Sequence, residues 1–170
     1  MAVVYRQPVL KSLEVVAKLA LAVVMALLLW RPWRRIRLAG LTSARKILVV
    51  RIDRRVGEVL LTTPLLRHLE GLHVDFLVHP DMVRVAKGLP GVAEVLSFER
   101  TLGTVRHLRA RRYDVVINAA NWTAPSVTSA IVSRLVAPHG VVLGPATPPA
   151  SWLMDMAVPP APETPGEAAQ

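Results

Sequence analysis

Five short apolar runs recur through the middle of the chain: "KILVV" at 46–50, "VDFLV" at 74–78, "AEVLSF" at 93–98, "DVVINA" at 114–119 and "GVVLG" at 140–144. Each is strand-length and rich in β-branched or aliphatic residues, and none shows the strict alternation of a sheet with one wet face. Between them lie segments of helical character. The first, from Val56 to Glu70, repeats leucine at 61, 65 and 69 with Leu66 beside them, and Pro64 is expected to kink it. Others are expected at about Asp81 to Lys87, Thr101 to Arg112 and Ala124 to Val136. Strands that alternate with helices and are apolar throughout imply a parallel sheet covered on both sides, the Rossmann-like α/β class. In such sheets ligands meet the carboxyl ends of the strands. The loop after the first strand, "RIDRRVGE", therefore becomes the place to look for chemistry.

The chain has 170 residues, enough for one domain with a real core and too few for two of ordinary size. It has no cysteine, which removes disulfides, cysteine–zinc sites and thiol catalysis together. Eight of its fourteen prolines lie beyond residue 137, so 156–170, "MAVPPAPETPGEAAQ", is expected to be a Pro-rich tail after a domain at 45–155.

The formal net charge of +9 is unevenly placed. Up to Val56 there are 12 Lys/Arg against 2 acids, which is +10, and from Gly57 onward 9 against 10, which is −1. Charge so concentrated argues against a face that tracks a phosphate backbone, and no nucleic-acid partner is expected. Part of it flanks the apolar run "LALAVVMALLLW", residues 19–30. Residues 13–30 as a helix would reach about 27 Å, slightly short of a hydrocarbon core of roughly 30 Å. No polar stripe marks 19–30 as an interfacial helix, and Trp30-Arg31-Pro32-Trp33 is unsuited to signal cleavage. An uncleaved membrane anchor over 1–40 is expected, with a helix buried in the protein as the competing reading. The arginines after it place the domain on the cytoplasmic side of the inner membrane.

The remaining positive charge sits in the loop itself, where Arg51, Asp53, Arg54, Arg55 and Gly57 surround the start of a helix and Glu58 lies in its first turn. An acid there is favoured by the helix dipole by about 0.3–1 kcal/mol, which explains Glu58 without chemistry. Four further charges in one loop exceed what capping needs. An acid beside an anion-attracting pocket could instead take a proton from a sugar hydroxyl of an anionic acceptor. No G-x-G-x-x-G or G-x-x-x-x-G-K-[ST] is present, no D-x-D pair offers a metal site, and the five histidines lack ligand-like spacing. Neither cofactor nor metal is expected.

The stretches "KILVVRIDRRVGEVLLTTPLLRHLE", "VDFLVHP", "LRARRYDVVINA" and "GVVLGP" resemble the amino-terminal half of the heptosyltransferase-like glycosyltransferases of family 9, which build lipopolysaccharide core. The resemblance runs over roughly 46–170. It implies the acceptor-side half of a two-domain GT-B fold, with inverting, metal-independent transfer from a nucleotide-sugar donor to a glycolipid acceptor. It also implies that Glu58 is the base, where the family has an aspartate. The donor domain is expected to be missing from this chain, as in a fragment, a truncated frame or a split enzyme. The alternative is a non-catalytic, membrane-anchored module that binds an acidic glycolipid or a partner protein.

Overall fold

A computed structural model describes residues 43–123 and 126–160, with Ala17, Ala20, Val23 and Val24. The expected anchor, 1–40, lies outside the described residues except for those last four, which are helical and exposed. Among the described residues no helix is long and apolar enough to cross a membrane.

Six parallel strands form one sheet in the order β3-β2-β1-β4-β5-β6. They are β1 (Lys46–Arg51), β2 (His73–Val78), β3 (Glu94–Ser97), β4 (Val115–Asn118), β5 (Val141–Pro145) and β6 (Met156–Val158). The helices are α1 (Val56–Leu60), α2 (Thr63–His68), α3 (Val83–Ala86), α4 (Leu102–Ala110) and α5 (Val127–Val136). Period-2 geometry sends successive side chains of a strand to opposite faces. Ile47 and Val49 accordingly join Val74, Phe76 and Val78 under Val59, Leu66 and Ala86 of α1, α2 and α3. Leu48 and Val50 join Leu77, Val116 and Val142 under Leu108 of α4 and Val132 and Val136 of α5. Both faces of the sheet are thus dry, which is why its strands read as unbroken apolar runs.

Three details depart from expectation. The helix expected over Val56–Glu70 breaks in two at Leu61-Thr62. Pro64 has no N–H to donate to Leu60, and the second piece restarts with Leu66 N–H donating to the Thr62 carbonyl at 3.1 Å. Leu61 is therefore left on the surface while Leu66 is buried. The sheet also continues to Val158, three residues into the segment expected as tail, because Met156–Val158 pairs with Leu143–Pro145. Finally, the apolar run 74–78 hides a fully buried acid. Asp75 Oδ2 accepts from Tyr113 Oη at 2.7 Å and from Arg111 Nη1 at 3.1 Å, and Arg111 also grips Glu94 with both terminal nitrogens, at 2.5 and 3.0 Å.

Burial, reinforced by the carboxylate of Asp75, pushes the Tyr113 phenol well above its ordinary value. A group whose folded pKa is raised stabilises the fold below its unfolded pKa, near 10 for tyrosine, and loses that contribution as pH rises beyond it. Tyr113→Phe is expected to cost about 1.5–3 kcal/mol at neutral pH, the range for a hydrogen bond to a charged group. It should also remove part of the loss of stability seen above pH ~10. Urea midpoints of both proteins across pH would show it, and equal midpoints at pH 7 would refute the role of this bond.

Candidate functional site

In the strand order 3-2-1-4-5-6 the chain reverses direction of winding between β1 and β4, and the crevice outside their carboxyl ends is where open α/β sheets take ligands. The loop 52–55 leaves β1 at that crevice, and residues 119–123 leave β4 there.

Arg51 is the last residue of β1. Alternation after Ile47 and Val49 turns it to the face that carries α1, and there its buried guanidinium meets Glu58. One terminal nitrogen donates to Glu58 Oε2, and the other donates to the carbonyl of Ala119 just beyond β4, so a single side chain bridges the crevice. Its Nε lies 2.9 Å from Asp53 Oδ2, an ion-pair contact that lacks hydrogen-bond geometry, and Nε is left without an acceptor. Burial lowers the Arg51 pKa and the charge of Asp53 opposes that shift. Glu58 is 21% exposed, with its carboxylate fixed from one side and reachable from solvent on the other.

Arg54 points elsewhere. Its Nε donates to His79 Nε2 at 2.9 Å, across from the loop that follows β2. The ring can accept there only with Nε2 unprotonated, so a neutral His79 carries its proton on Nδ1, which faces Asp81 Oδ2 at 3.3 Å. The 3.3 Å contact between Nδ1 and the Asp81 amide is then not a good hydrogen bond. Arg55 is the residue before α1, exposed and without a capping bond. At Gly57 an added Cβ would meet nothing within 4 Å, so packing gives no reason for glycine in this helix.

The structure thus brings Arg51, Asp53 and Glu58 into one cluster, sets Arg54 and Arg55 at its outer margin, and leaves Gly57 as open backbone. With α1 only five residues long, the helix dipole offers Glu58 less than a long helix would, and the ion pair with Arg51 is its principal contact.

Three neighbours were not legible as site residues. His79 follows directly on β2. Asn118 ends β4 and turns to the α5 face, buried, with neither Oδ1 nor Nδ2 hydrogen-bonded. Trp122, in the next loop, is 41% exposed while its indole N–H is held by the Val158 carbonyl at 2.8 Å. The signal that would have found all three is position at the carboxyl end of a strand, once strand neighbours are known.

No protein-family model and no curated protein matches the chain. Among solved structures it is similar to the E. coli heptosyltransferase WaaC with ADP, at 26% identity and TM-score 0.58 over 69% of this chain and 42% of that one. The same enzyme with ADP-2-deoxy-2-fluoro heptose matches at 24% identity and TM-score 0.57, over 69% and 43%. E. coli ADP-heptose LPS heptosyltransferase II shares the fold at 23% identity and TM-score 0.54, over 65% of this chain and 33% of that one. This chain therefore spans less than half the length of the enzymes it matches. The six-stranded unit, with its charged crevice between β1 and β4, is therefore similar to part of the heptosyltransferases whose structures it matches.

Proposed function

We propose that this chain is the acceptor-side half of a glycosyltransferase that moves a sugar from a nucleotide-sugar donor to an anionic glycolipid of the lipopolysaccharide-core kind. The observation that carries the reading is the Glu58 carboxylate, held by buried Arg51 at the switch point of the sheet and open on its other side. Glu58 acts as general base on the acceptor hydroxyl. Arg51 balances its charge and fixes its position, with Asp53 completing the cluster. Arg54 and Arg55 draw acidic groups of the acceptor to the rim, and Gly57, lacking a side chain, lets the acceptor approach the backbone.

The donor in this reading is an ADP-sugar, the class of molecule bound in one of the WaaC structures, the other holding ADP, and it is held by a carboxyl-terminal domain of the complete enzyme. Residues 13–30 keep the domain at the cytoplasmic face of the inner membrane, where a lipid-linked acceptor is found. No metal takes part, and transfer proceeds with inversion.

Titration of the chain with a phosphorylated core saccharide, followed by amide shifts, tests the acceptor reading directly. Shifts should cluster at 51–58 and 118–122. Arg54→Gln with Arg55→Gln should weaken binding on the order of 10-fold and flatten its salt dependence, as expected for two rim charges. Binding that is unaltered at low salt would count against these roles, and shifts confined to another edge of the sheet would refute the site.

A further inference from the structure

The amino edge of the sheet, opposite Glu58, carries a second charged feature. A hollow of about 760 Å³ is lined by Arg106, Arg109, Arg112, Tyr113, Asp114 and His139, among others. It opens between the end of α4 and the start of β5, with Gly140 at its base. A Cβ on Gly140 would stand 2.4 Å from the Tyr113 carbonyl, so the close approach of these two segments requires glycine.

The arginines around the hollow are not spent on the fold. Arg111, inside the same run, is the structural one, paired with Asp75 and Glu94. Arg112 follows it with φ 53°, a left-handed backbone that non-glycine residues rarely adopt, and the turn sends the two neighbouring arginines to different surroundings. Among the described residues, Arg106, Arg109 and Arg112 are exposed and none has an acidic or hydrogen-bonding side-chain partner. The one carboxylate in the lining is Asp114. Its Oδ2 is occupied by the backbone amides of Arg45 and Lys46, at 3.0 and 2.9 Å. One cation in the last turn of α4 would answer the helix dipole, whereas three around a hollow exceed it.

Those same hydrogen bonds fix where the hollow lies along the chain. Asp114 holds Arg45, just before β1, and Lys46, its first residue, so the chain enters β1 at the wall of the basic hollow. We infer that the amino edge is a membrane-docking surface, at which Arg106, Arg109 and Arg112 receive the phosphate groups of anionic phospholipids. Nucleic acid fits less well, since its backbone needs cations spaced along an extended track and these converge on one depression. The inference is independent of sugar transfer.

Flotation of the full chain with vesicles of phosphatidylcholine alone, and of phosphatidylcholine mixed with phosphatidylglycerol, tests it. Binding to neutral vesicles reports the apolar segment; the gain on adding anionic lipid reports the hollow. Arg106→Gln, Arg109→Gln and Arg112→Gln together should reduce the gain on the order of 10²-fold, from about 1 kcal/mol per cation near such a surface, and leave neutral binding unchanged. Arg67→Gln, Arg84→Gln and Lys87→Gln, exposed positions on α2, α3 and just beyond, remove the same charge elsewhere and should keep most of the gain. Equal losses in both triple variants would overturn the inference, because net charge alone would then explain binding. So would an unchanged gain in the first. Inhibition by inorganic phosphate at matched ionic strength would also overturn it, marking the hollow as a site for a soluble phosphate compound.

Discussion

Glu58→Gln is expected to lower sugar transfer by about 10²–10⁴-fold in the enzyme assembled with its donor-binding half, the range for loss of a positioned general base. Glutamine matches the size of glutamate and its Oε1 can still accept from Arg51, so the fold should persist. The stability lost with a partly exposed ion pair is about 1 kcal/mol or less. Melting temperature and turnover measured on the same preparations separate the roles, since a structural Glu58 would show in the first and a catalytic one in the second. Glu58→Asp sharpens the test. Aspartate serves a helix start about as well as glutamate, so a capping residue would tolerate it in every assay. A base would not be indifferent, because shortening the side chain by one methylene moves the carboxylate by on the order of 1 Å, and such displacements alter rates on the order of 10²-fold. Full transfer activity in Glu58→Gln would end the catalytic assignment.

Loss of Arg51 is expected to have the next largest effect, and to act on stability and rate together. Its guanidinium ties Glu58 to the Ala119 carbonyl across the β1/β4 crevice. Removing one member of a buried pair typically costs 3–5 kcal/mol. Glu58 keeps solvent contact, being 21% exposed, so Arg51→Met should cost less, about 1–3 kcal/mol by denaturant midpoint. Turnover should fall on the order of 10²-fold as Glu58 loses its fixed position. Arg51→Lys keeps the charge but not the fork, and one ammonium on a flexible stem cannot hold both acceptors in this geometry. It should therefore recover part of the stability and little of the rate. A lysine variant with full turnover would show that charge, and not the bridge, is what the site needs.

The first five strands were legible as apolar runs at 46–50, 74–78, 93–98, 114–119 and 140–144, each within one or two residues of the strand the structure shows, because a sheet buried on both faces demands continuous apolar runs. β6 was not legible. Three residues among prolines carry no period, and Met156–Val158 becomes a strand only because the free edge of β5 lies beside it. The break at Leu61-Thr62 was half legible, since Pro64 announces it but only packing decides that Leu66 is buried and Leu61 is not.

The loop 51–58 announced itself by charge density on the ligand-facing edge, and the residues proposed there stand at that edge. Their pairing was hidden. Sequence order suggested a basic anion pocket, whereas Arg51 turns inward to Glu58 and Ala119, and Arg54 leaves for His79, 25 residues away. Those contacts exist because β1 lies between β2 and β4, an adjacency that depends on the winding of the whole sheet. By itself the sequence determined the fold class, the approximate strand positions and the place of the charged loop after the first strand, all of which follow from local hydrophobicity and spacing. Only the tertiary structure decided which charges neutralise one another and which, like Arg106, Arg109 and Arg112, remain available, because pairing over tens of residues is set by strand order and not by any local pattern.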